Sequence, residues 1–293
     1  MPLWAGLMRR AHRTSLITEG VAVRIRMICV CKRLFGSDTP PEMLIVGIGA
    51  LGCYEWSAMP TQWTFRFGTK VDLTGLSRFD VLHAVACGFF GETDEQHDAA
   101  WKPFAVRQIG PAEACEGVRL TWLCDSSGPE PVVPRELQLR ATTMEVAEAT
   151  ITRPSLAGSA VSHGRWVRMN FTEPTVFRFH GRDLPLPDPY LVYSSPAWRL
   201  SRCCGVAVDE DAAWALGRAV VLYDHDIRTQ GFSWHGTTGA GFVGTVTFGL
   251  PSTASEAMRG LFAALNGLAV LAGVGHGTTH GLGAVEPAAV VSR

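Results

Sequence analysis

Five glycines, two histidines and two threonines lie within eleven residues near the C-terminus of this 293-residue chain. Glycine permits positive φ and lets the backbone approach a ligand closely, and successive backbone N–H groups in such a segment form a concave site for anions. No G-K-[ST] sequence is present, which argues against a nucleotide-binding P-loop. We therefore predict that residues 273–285, here called the glycine loop, bind phosphate. The predicted binding residues are Gly275, His276, Gly277, Thr278, Thr279, His280, Gly281 and Gly283.

A second group of residues could perform acid–base chemistry. His83 lies within a predicted apolar helix, His97 follows an acidic loop after it, and Lys102 stands five residues later before a predicted strand. An imidazole with a pKa near neutrality can accept or donate a proton. A lysine ammonium can stabilise negative charge that develops on a phosphate. The group predicts proton transfer on an anionic substrate.

Composition argues against several other classes of protein. The formal net charge is −1, so no global basic field points to nucleic acid, although 23 of the 26 basic residues are arginines and a local patch could bind phosphates. The eight cysteines include no C-x-x-C pair and the nine histidines no H-E-x-x-H motif, so we expect neither a metal nor another cofactor. No apolar run of about 18 residues occurs, and we expect a cytoplasmic protein with no membrane partner.

Residues 43–52 fit the dinucleotide fingerprint G-x-G-x-x-G at Gly47, Gly49 and Gly52. Pro60 leaves only about two helical turns after that motif, too few for the crossover helix that a parallel strand needs. A dehydrogenase is therefore the weakest of the functions considered, and it would require NAD binding.

These candidate residues must be positioned by an alternating series of strands and helices. We predict an N-terminal extension over 1–58, either a disordered segment or the product of a misplaced start codon, followed by domains over 59–160 and 161–293. Each domain is read as an α+β ferredoxin-like (RRM-like) βαββαβ unit, in tandem, with the glycine loop near the end of the second. In the first domain the predicted elements are strands Thr61–Gly68, Phe104–Gln108, Val118–Cys124 and Thr143–Ile151 and helices Leu76–Phe90 and Val133–Arg140. In the second they are strands Trp166–Phe171, Val176–Phe179, Val220–Trp234, Gly241–Leu250 and Leu282–Val285 and helices Asp188–Arg199, Glu210–Arg218 and Ser252–Ala272, the last with Ser252 as N-cap.

Several of these segments together resemble a known family. GVGHGTTHGLGAVEP (273–287) is similar to the C-terminal glycine-rich motif of the RAMP superfamily, and more narrowly to the CRISPR repeat-processing endoribonucleases. TGAGFVGTVTFGLP (238–251) resembles their G-[FY]-x-G hairpin, and residues 171–200 resemble their T-P-T strand, P-x-P segment and helix, with a Glu replacing the first Thr. Residues 79–90 and 96–106 resemble their N-terminal helix and the loop that follows it.

The resemblance implies a metal-independent endoribonuclease that cleaves CRISPR repeat RNA in the precursor transcript. The RNA 2′-hydroxyl would attack the adjacent phosphate and leave a 2′,3′-cyclic phosphate and a 5′-hydroxyl. His97 and His83 would serve as acid and base, and Lys102 would stabilise charge. The partner would be the repeat stem-loop, with other CRISPR effector subunits as further candidates. Stem phosphates would be bound along the cleft between the domains by Arg165, Arg168 and Arg228.

The alternative is a non-catalytic RAMP subunit that binds crRNA in a CRISPR effector complex. Such a subunit shares the fold and the glycine loop and has no need of the histidines and the lysine.

Overall fold

The computed structural model describes residues 60–74, 77–91, 102–124, 133–139, 142–154, 164–204, 210–234 and 236–288. The predicted extension over 1–58 and the predicted catalytic His97 lie outside these residues. The described residues all belong to one unit, residues 51–293. No helix within the described ranges has the length and hydropathy needed to cross a bilayer.

The first half of the described chain forms a five-stranded sheet, called here the first sheet. Its elements are β1 (Thr61–Val71), α1 (Arg78–Phe90), β2 (Phe104–Ile109), β3 (Cys115–Trp122), β4 (Glu136–Leu139) and β5 (Thr142–Thr152). The strand order is β2-β3-β1-β5-β4, and all neighbouring strands are antiparallel. Because β3 separates β1 from β2, those two strands run parallel and α1 is the crossover between them.

Alternation along β1 determines which face of the first sheet is buried. Trp63, Phe65 and Phe67 point to the core, while the residues between them are more exposed. Helix α1 covers this face with Leu82 and Val85, which belong to the same hydrophobic cluster. The opposite face of β1 remains open, as expected for a half-buried antiparallel sheet.

One predicted helix is wrong. The residues predicted as helix 133–140 instead contain β4, which pairs with β5 through Leu137 opposite Met144. Leu137 and Leu139 are both buried, and the residues before each of them are exposed. This spacing of two is the period of a strand, and it outweighs the high helix propensity of the local Glu, Leu, Gln and Arg.

The second half forms a four-stranded sheet, the second sheet, with three long helices and a small hairpin. Its elements are β6 (Trp166–Thr175), β7 (Phe177–Phe179), β8 (Arg182–Leu184), α2 (Pro189–Cys204), α3 (Glu210–Ala219), β9 (Val221–Trp234), β10 (Thr237–Gly249), α4 (Glu256–Ala272) and β11 (Val285–Pro287). The strand order is β11-β6-β10-β9, again antiparallel throughout. A second hydrophobic cluster lies between this sheet and its helices.

The N-terminus of α4 differs from the prediction. Ser252 is not the N-cap, because the chain makes a turn in which the Ala254 N–H donates to Pro251. Ser255 takes that role, and its hydroxyl accepts the Met258 N–H at 3.2 Å. The favoured N-cap residue type was correct, and only its position was wrong.

Candidate functional site

The glycine loop follows α4 and returns the chain to β11. Gly283 has a φ of +66°, and a Cβ atom there would lie 1.9 Å from the Val274 carbonyl oxygen, so no other residue fits. Gly281 has a φ of +97°, and its Cβ would lie 2.8 Å from Leu82 on α1. The glycines therefore serve first to let the loop fold tightly on itself and lie against the first sheet.

Much of the backbone of the glycine loop is bonded within the protein. The amides that donate to other elements are Gly275 to the Ser195 hydroxyl, His276 to the Val176 carbonyl and Gly283 to the Pro174 carbonyl, at 2.8–3.0 Å. A cavity beside the loop has a volume of about 10 Å³, room for about one water. A phosphate would therefore be bound on the outer side of the loop, where His276, Gly277 and Thr279 are partly exposed.

The glycine loop contacts α1 through the predicted catalytic residue His83. The His83 Nδ1 lies 2.9 Å from the Thr279 carbonyl oxygen, and because a carbonyl only accepts, Nδ1 carries a proton. The other ring nitrogen, Nε2, lies 3.4 Å from the Cys87 sulfur one helical turn further on. The His83 ring also stacks on His280, with 3.8 Å between the ring centroids. His83 is thus buried, with partners at both ring nitrogens.

Phe104, at the start of β2, connects this contact to Lys102. The Lys102 ammonium lies 6.0 Å from the centroid of the Phe104 ring, and the His83 ring centroid lies 6.0 Å from the same point. The structure therefore brings His83, Lys102 and the loop residue His280 to one region. His97, five residues before Lys102, is the member of the predicted group that is not described.

Trp234, at the end of β9, packs its indole ring against the two histidines of the glycine loop, a contact that was not predicted from the sequence. Its ring centroid lies 4.6 Å from that of His280 and 4.9 Å from that of His276. Burial, and then the nearby Arg178 charge, lower the pKa of His276 below its usual value. His276 is therefore held toward its neutral form, which can donate one hydrogen bond and accept another.

The three arginines predicted to bind RNA lie apart from one another. Arg168 is on β6 and donates to the Thr245 hydroxyl at 3.3 Å. Arg228 is exposed on β9 opposite Val243. Arg165 precedes β6 and lines a groove at the end of the second sheet that is remote from the glycine loop. They form no single patch.

Two arginines that the sequence did not single out lie beside the glycine loop. Arg107 on β2 and Arg119 on β3 are directly opposite each other, an arrangement of like charges that destabilises a sheet. Arg107 donates to the Val285 carbonyl at 3.2 Å. Burial, then the Arg119 charge, lower the pKa of Arg107 to about 10, and Glu286 opposes that shift. The pair produces a local excess of positive charge between the two sheets.

An ion pair joins α1 to the second sheet. Arg78 donates to both carboxylate oxygens of Glu173 on β6, at 2.7 and 3.3 Å, and both side chains are largely buried. Burial raises the pKa of Glu173 to about 7, although Arg78 opposes the shift. Glu173 is the residue that departs from the T-P-T pattern of the resembled family, and here the departure supplies a contact between the sheets.

With this geometry established, comparison with known proteins identifies the fold. Residues 169–285 match the family model described as CRISPR-associated endoribonuclease Cas6. A solved Cas6 product complex has 22% identity and a TM-score of 0.64 over 79% of this chain and 100% of that chain. A Cas6 substrate mimic complex has 23% sequence identity and a TM-score of 0.62, over 79% of this chain and 100% of that chain. The structure of Thermus thermophilus Cas6 has 23% sequence identity and a TM-score of 0.59, over 79% of this chain and 99% of that chain. No curated protein matches the chain.

The structural matches define the class first: a mixed α+β protein with the fold of the Cas6 proteins. The family match then confirms the resemblance predicted from the sequence, to the CRISPR-associated repeat-processing endoribonucleases. It confirms the enzyme class of endoribonuclease with it. The matched residues run from β6 to β11 and include the glycine loop.

Proposed function

We propose that this protein cleaves CRISPR repeat RNA in the precursor transcript to give mature guide RNAs. The observation that carries the proposal is the contact between His83 on α1 and Thr279 and His280 in the glycine loop. These two segments carry the resemblance at opposite ends of the described chain, and Lys102 lies near the Phe104 ring that His83 also contacts. An RNA bound there would reach acid–base groups and cations together.

The proposed reaction needs no metal, because RNA supplies its own nucleophile. A base removes the proton of the 2′-hydroxyl, the oxygen attacks the adjacent phosphate, and an acid protonates the departing 5′-oxygen. The products are a 2′,3′-cyclic phosphate and a 5′-hydroxyl. His97 is the proposed proton-transfer residue, and Lys102 stabilises the charge of the pentavalent phosphate.

His83 was predicted as the second proton-transfer residue, and this stays a prediction. Its burial and its partners, Thr279 and Cys87, favour a different part in the same site: His83 holds the glycine loop against α1. As a positioning residue it would set the orientation of His280 and Thr279 toward the RNA. Cleavage would then depend on His83 through the loop.

For binding, we propose that RNA follows the open faces of the two sheets past Arg107 and Arg119. The glycine loop would bind the scissile phosphate, and Arg168 and Arg228 would bind phosphates along the second sheet. Double-stranded A-form RNA is recognised mainly by shape and backbone. Affinity should therefore fall steeply with salt.

The fold supports a finer assignment within this proposal. The strand orders β2-β3-β1-β5 and β11-β6-β10-β9 support our proposal of two ferredoxin-like units in tandem. In the first unit β4 stands where a second helix was expected. The domain bounds 59–160 and 161–293 and the cytoplasmic location are part of the same proposal.

Cleavage of a stem-loop repeat RNA in EDTA tests the function. The wild-type chain should yield the cyclic phosphate product, and His97→Ala should lower the single-turnover rate by about 10²–10⁴-fold. His225→Ala, at an exposed position of β9, is the matched control and should cleave at the wild-type rate. Loss of activity in EDTA, restored by Mg²⁺, would contradict the proposed mechanism.

The alternative, a crRNA-binding subunit without activity, is favoured by one observation: both ring nitrogens of His83 are engaged within the protein. It predicts tight, salt-sensitive binding of the repeat RNA with no cleavage. The same assay separates the two functions, because binding and product are measured on one RNA.

A further inference from the structure

A groove at the end of the second sheet remote from the glycine loop has the composition of a nucleotide site. Its volume of about 500 Å³ falls within the roughly 300–1,000 Å³ typical of ligand sites. Arg165 is the single charged residue among the described residues that line it. Trp166, Val221, Tyr223 and Pro251 also line it.

The backbone of the second sheet exposes the aromatic rings of this groove. The register of β9 against β10 shifts at Thr247, and Tyr223 lies in the resulting bulge with 63% of its surface exposed. Trp166 lies across Gly249, where a Cβ atom would be only 1.9 Å from the indole ring. The two rings meet edge to face, with 3.8 Å between their centroids.

The main chain of Arg165 is held at the end of the second sheet, beside these rings. The Leu250 N–H donates to the Arg165 carbonyl at 2.8 Å, which ties the residue before β6 to the end of β10. An arginine next to exposed aromatic surface suits a ligand that is planar at one end and anionic at the other. An apolar protein segment would need no cation there.

We propose that this groove binds an unpaired nucleotide of the RNA, with its base stacked on the exposed Tyr223 ring, its edge toward Trp166, and its phosphate on Arg165. The proposal rests on the proposed function and extends it to the single-stranded flank of the repeat. Trp166 and Thr175 are the ends of the ten-residue strand β6, so at ~3.3 Å per residue the groove lies roughly 30 Å from the glycine loop end. Bases within the stem are already stacked on each other, so an unpaired flank is the part that can enter.

Fluorescence anisotropy with two labelled RNAs tests the proposal: an oligouridylate of about ten nucleotides, and a repeat stem-loop without flanks. Tyr223→Ala should weaken binding of the oligouridylate by about 5- to 30-fold. Arg165→Gln should weaken it and lower its salt dependence. Tyr223→Ala should leave stem-loop cleavage at the wild-type rate. The matched control is Trp214→Ala, because Trp214 is also half exposed beside an arginine, Arg218, but lies on α3.

Wild-type affinity for the oligouridylate in both Tyr223→Ala and Arg165→Gln would overturn the proposal. So would gel filtration showing a wild-type dimer that Tyr223→Ala dissociates, since the groove would then be an interface between copies of the chain. Groove-dependent binding in a protein that cleaves no stem-loop would support the groove and refute the proposed nuclease function. The two failures are thus distinguishable.

Discussion

Glu173 should make the stability of this protein depend on pH. Burial raises the pKa of Glu173 from 4.5 to about 7, so the folded state binds this proton more tightly than the unfolded state. A raised pKa of this kind contributes stability that is fully present below about pH 4.5 and is lost as the pH rises through about 7. The carboxylate then remains buried against Arg78, whose attraction only partly offsets the loss of hydration.

The magnitude follows from the size of the shift. One pKa unit corresponds to about 1.4 kcal/mol, and integration of the proton-binding difference between about pH 5 and pH 8 gives about 2–3 kcal/mol. Glu173→Gln removes the titration and retains the shape of the side chain. The free energy of unfolding of the wild type, measured relative to this variant, should therefore fall by about 2–3 kcal/mol over that range.

Urea unfolding of the two proteins at a series of pH values provides the measurement, because the other titrating groups are shared and cancel in the difference. Glu145→Gln, at an exposed position of β5, is the control and should follow the wild type. Parallel curves for the wild type and Glu173→Gln would refute the reasoning. Arg78→Met should cost about 3–5 kcal/mol near pH 8, because it leaves a buried carboxylate without its cation, and adding Glu173→Gln should restore most of that loss.

Three further substitutions test the contacts around the site. Arg107→Gln should weaken repeat RNA binding and reduce the slope of log affinity against log salt by about one, measured by anisotropy in a KCl series; an unchanged slope would contradict a phosphate contact. Gly281→Ala should destabilise the fold by about 1–3 kcal/mol in thermal unfolding, because the φ of Gly281 is +97° and a Cβ atom there would contact Leu82. The control is Gly260→Ala, on α4, where a Cβ atom would have open space around it. This control should be neutral or stabilising in the same assay. The buried Arg199, on α2, donates to the carbonyls of Ala272 and Phe104. Arg199→Met should therefore cost about 2–4 kcal/mol by leaving these carbonyls without that donor, and a loss below about 0.5 kcal/mol would show that they are hydrated.

Local patterns in the sequence were sufficient for most elements and for the glycine loop. The alternation in β1 and the apolar run in α1 are visible without tertiary information, and the mixed α+β class follows from them. The segment that contains β4 failed because a four-residue alternation is too short to outweigh helix propensity. The domain bounds and the role of His97 stay predictions.

The contacts of the candidate site could not be predicted in the same way. His83 and Thr279 are 196 residues apart, and their contact depends on how the two sheets pack. Arg107 and Arg119 meet only because β2 and β3 pair in one register, and a shift by one residue would place them on opposite faces. The sequence showed which residues could do chemistry, and packing decided which of them are close enough to do it.

Arginine side chains make several of the contacts between the two halves of the described chain. Arg78 binds a carboxylate with two nitrogens, Arg107 reaches a β11 carbonyl, and Arg199 donates to the carbonyls of Phe104 and Ala272. In each case a planar guanidinium on one sheet or its helices donates to the other half, and Arg199 also donates within its own half through Ala272; a lysine ammonium could not do so with the same geometry. The strong preference for arginine over lysine in this chain therefore has structural consequences wherever the two sheets meet. It leaves Lys102 as a cation of another kind, a compact charge, which fits the proposal that Lys102 stabilises charge on the phosphate during cleavage.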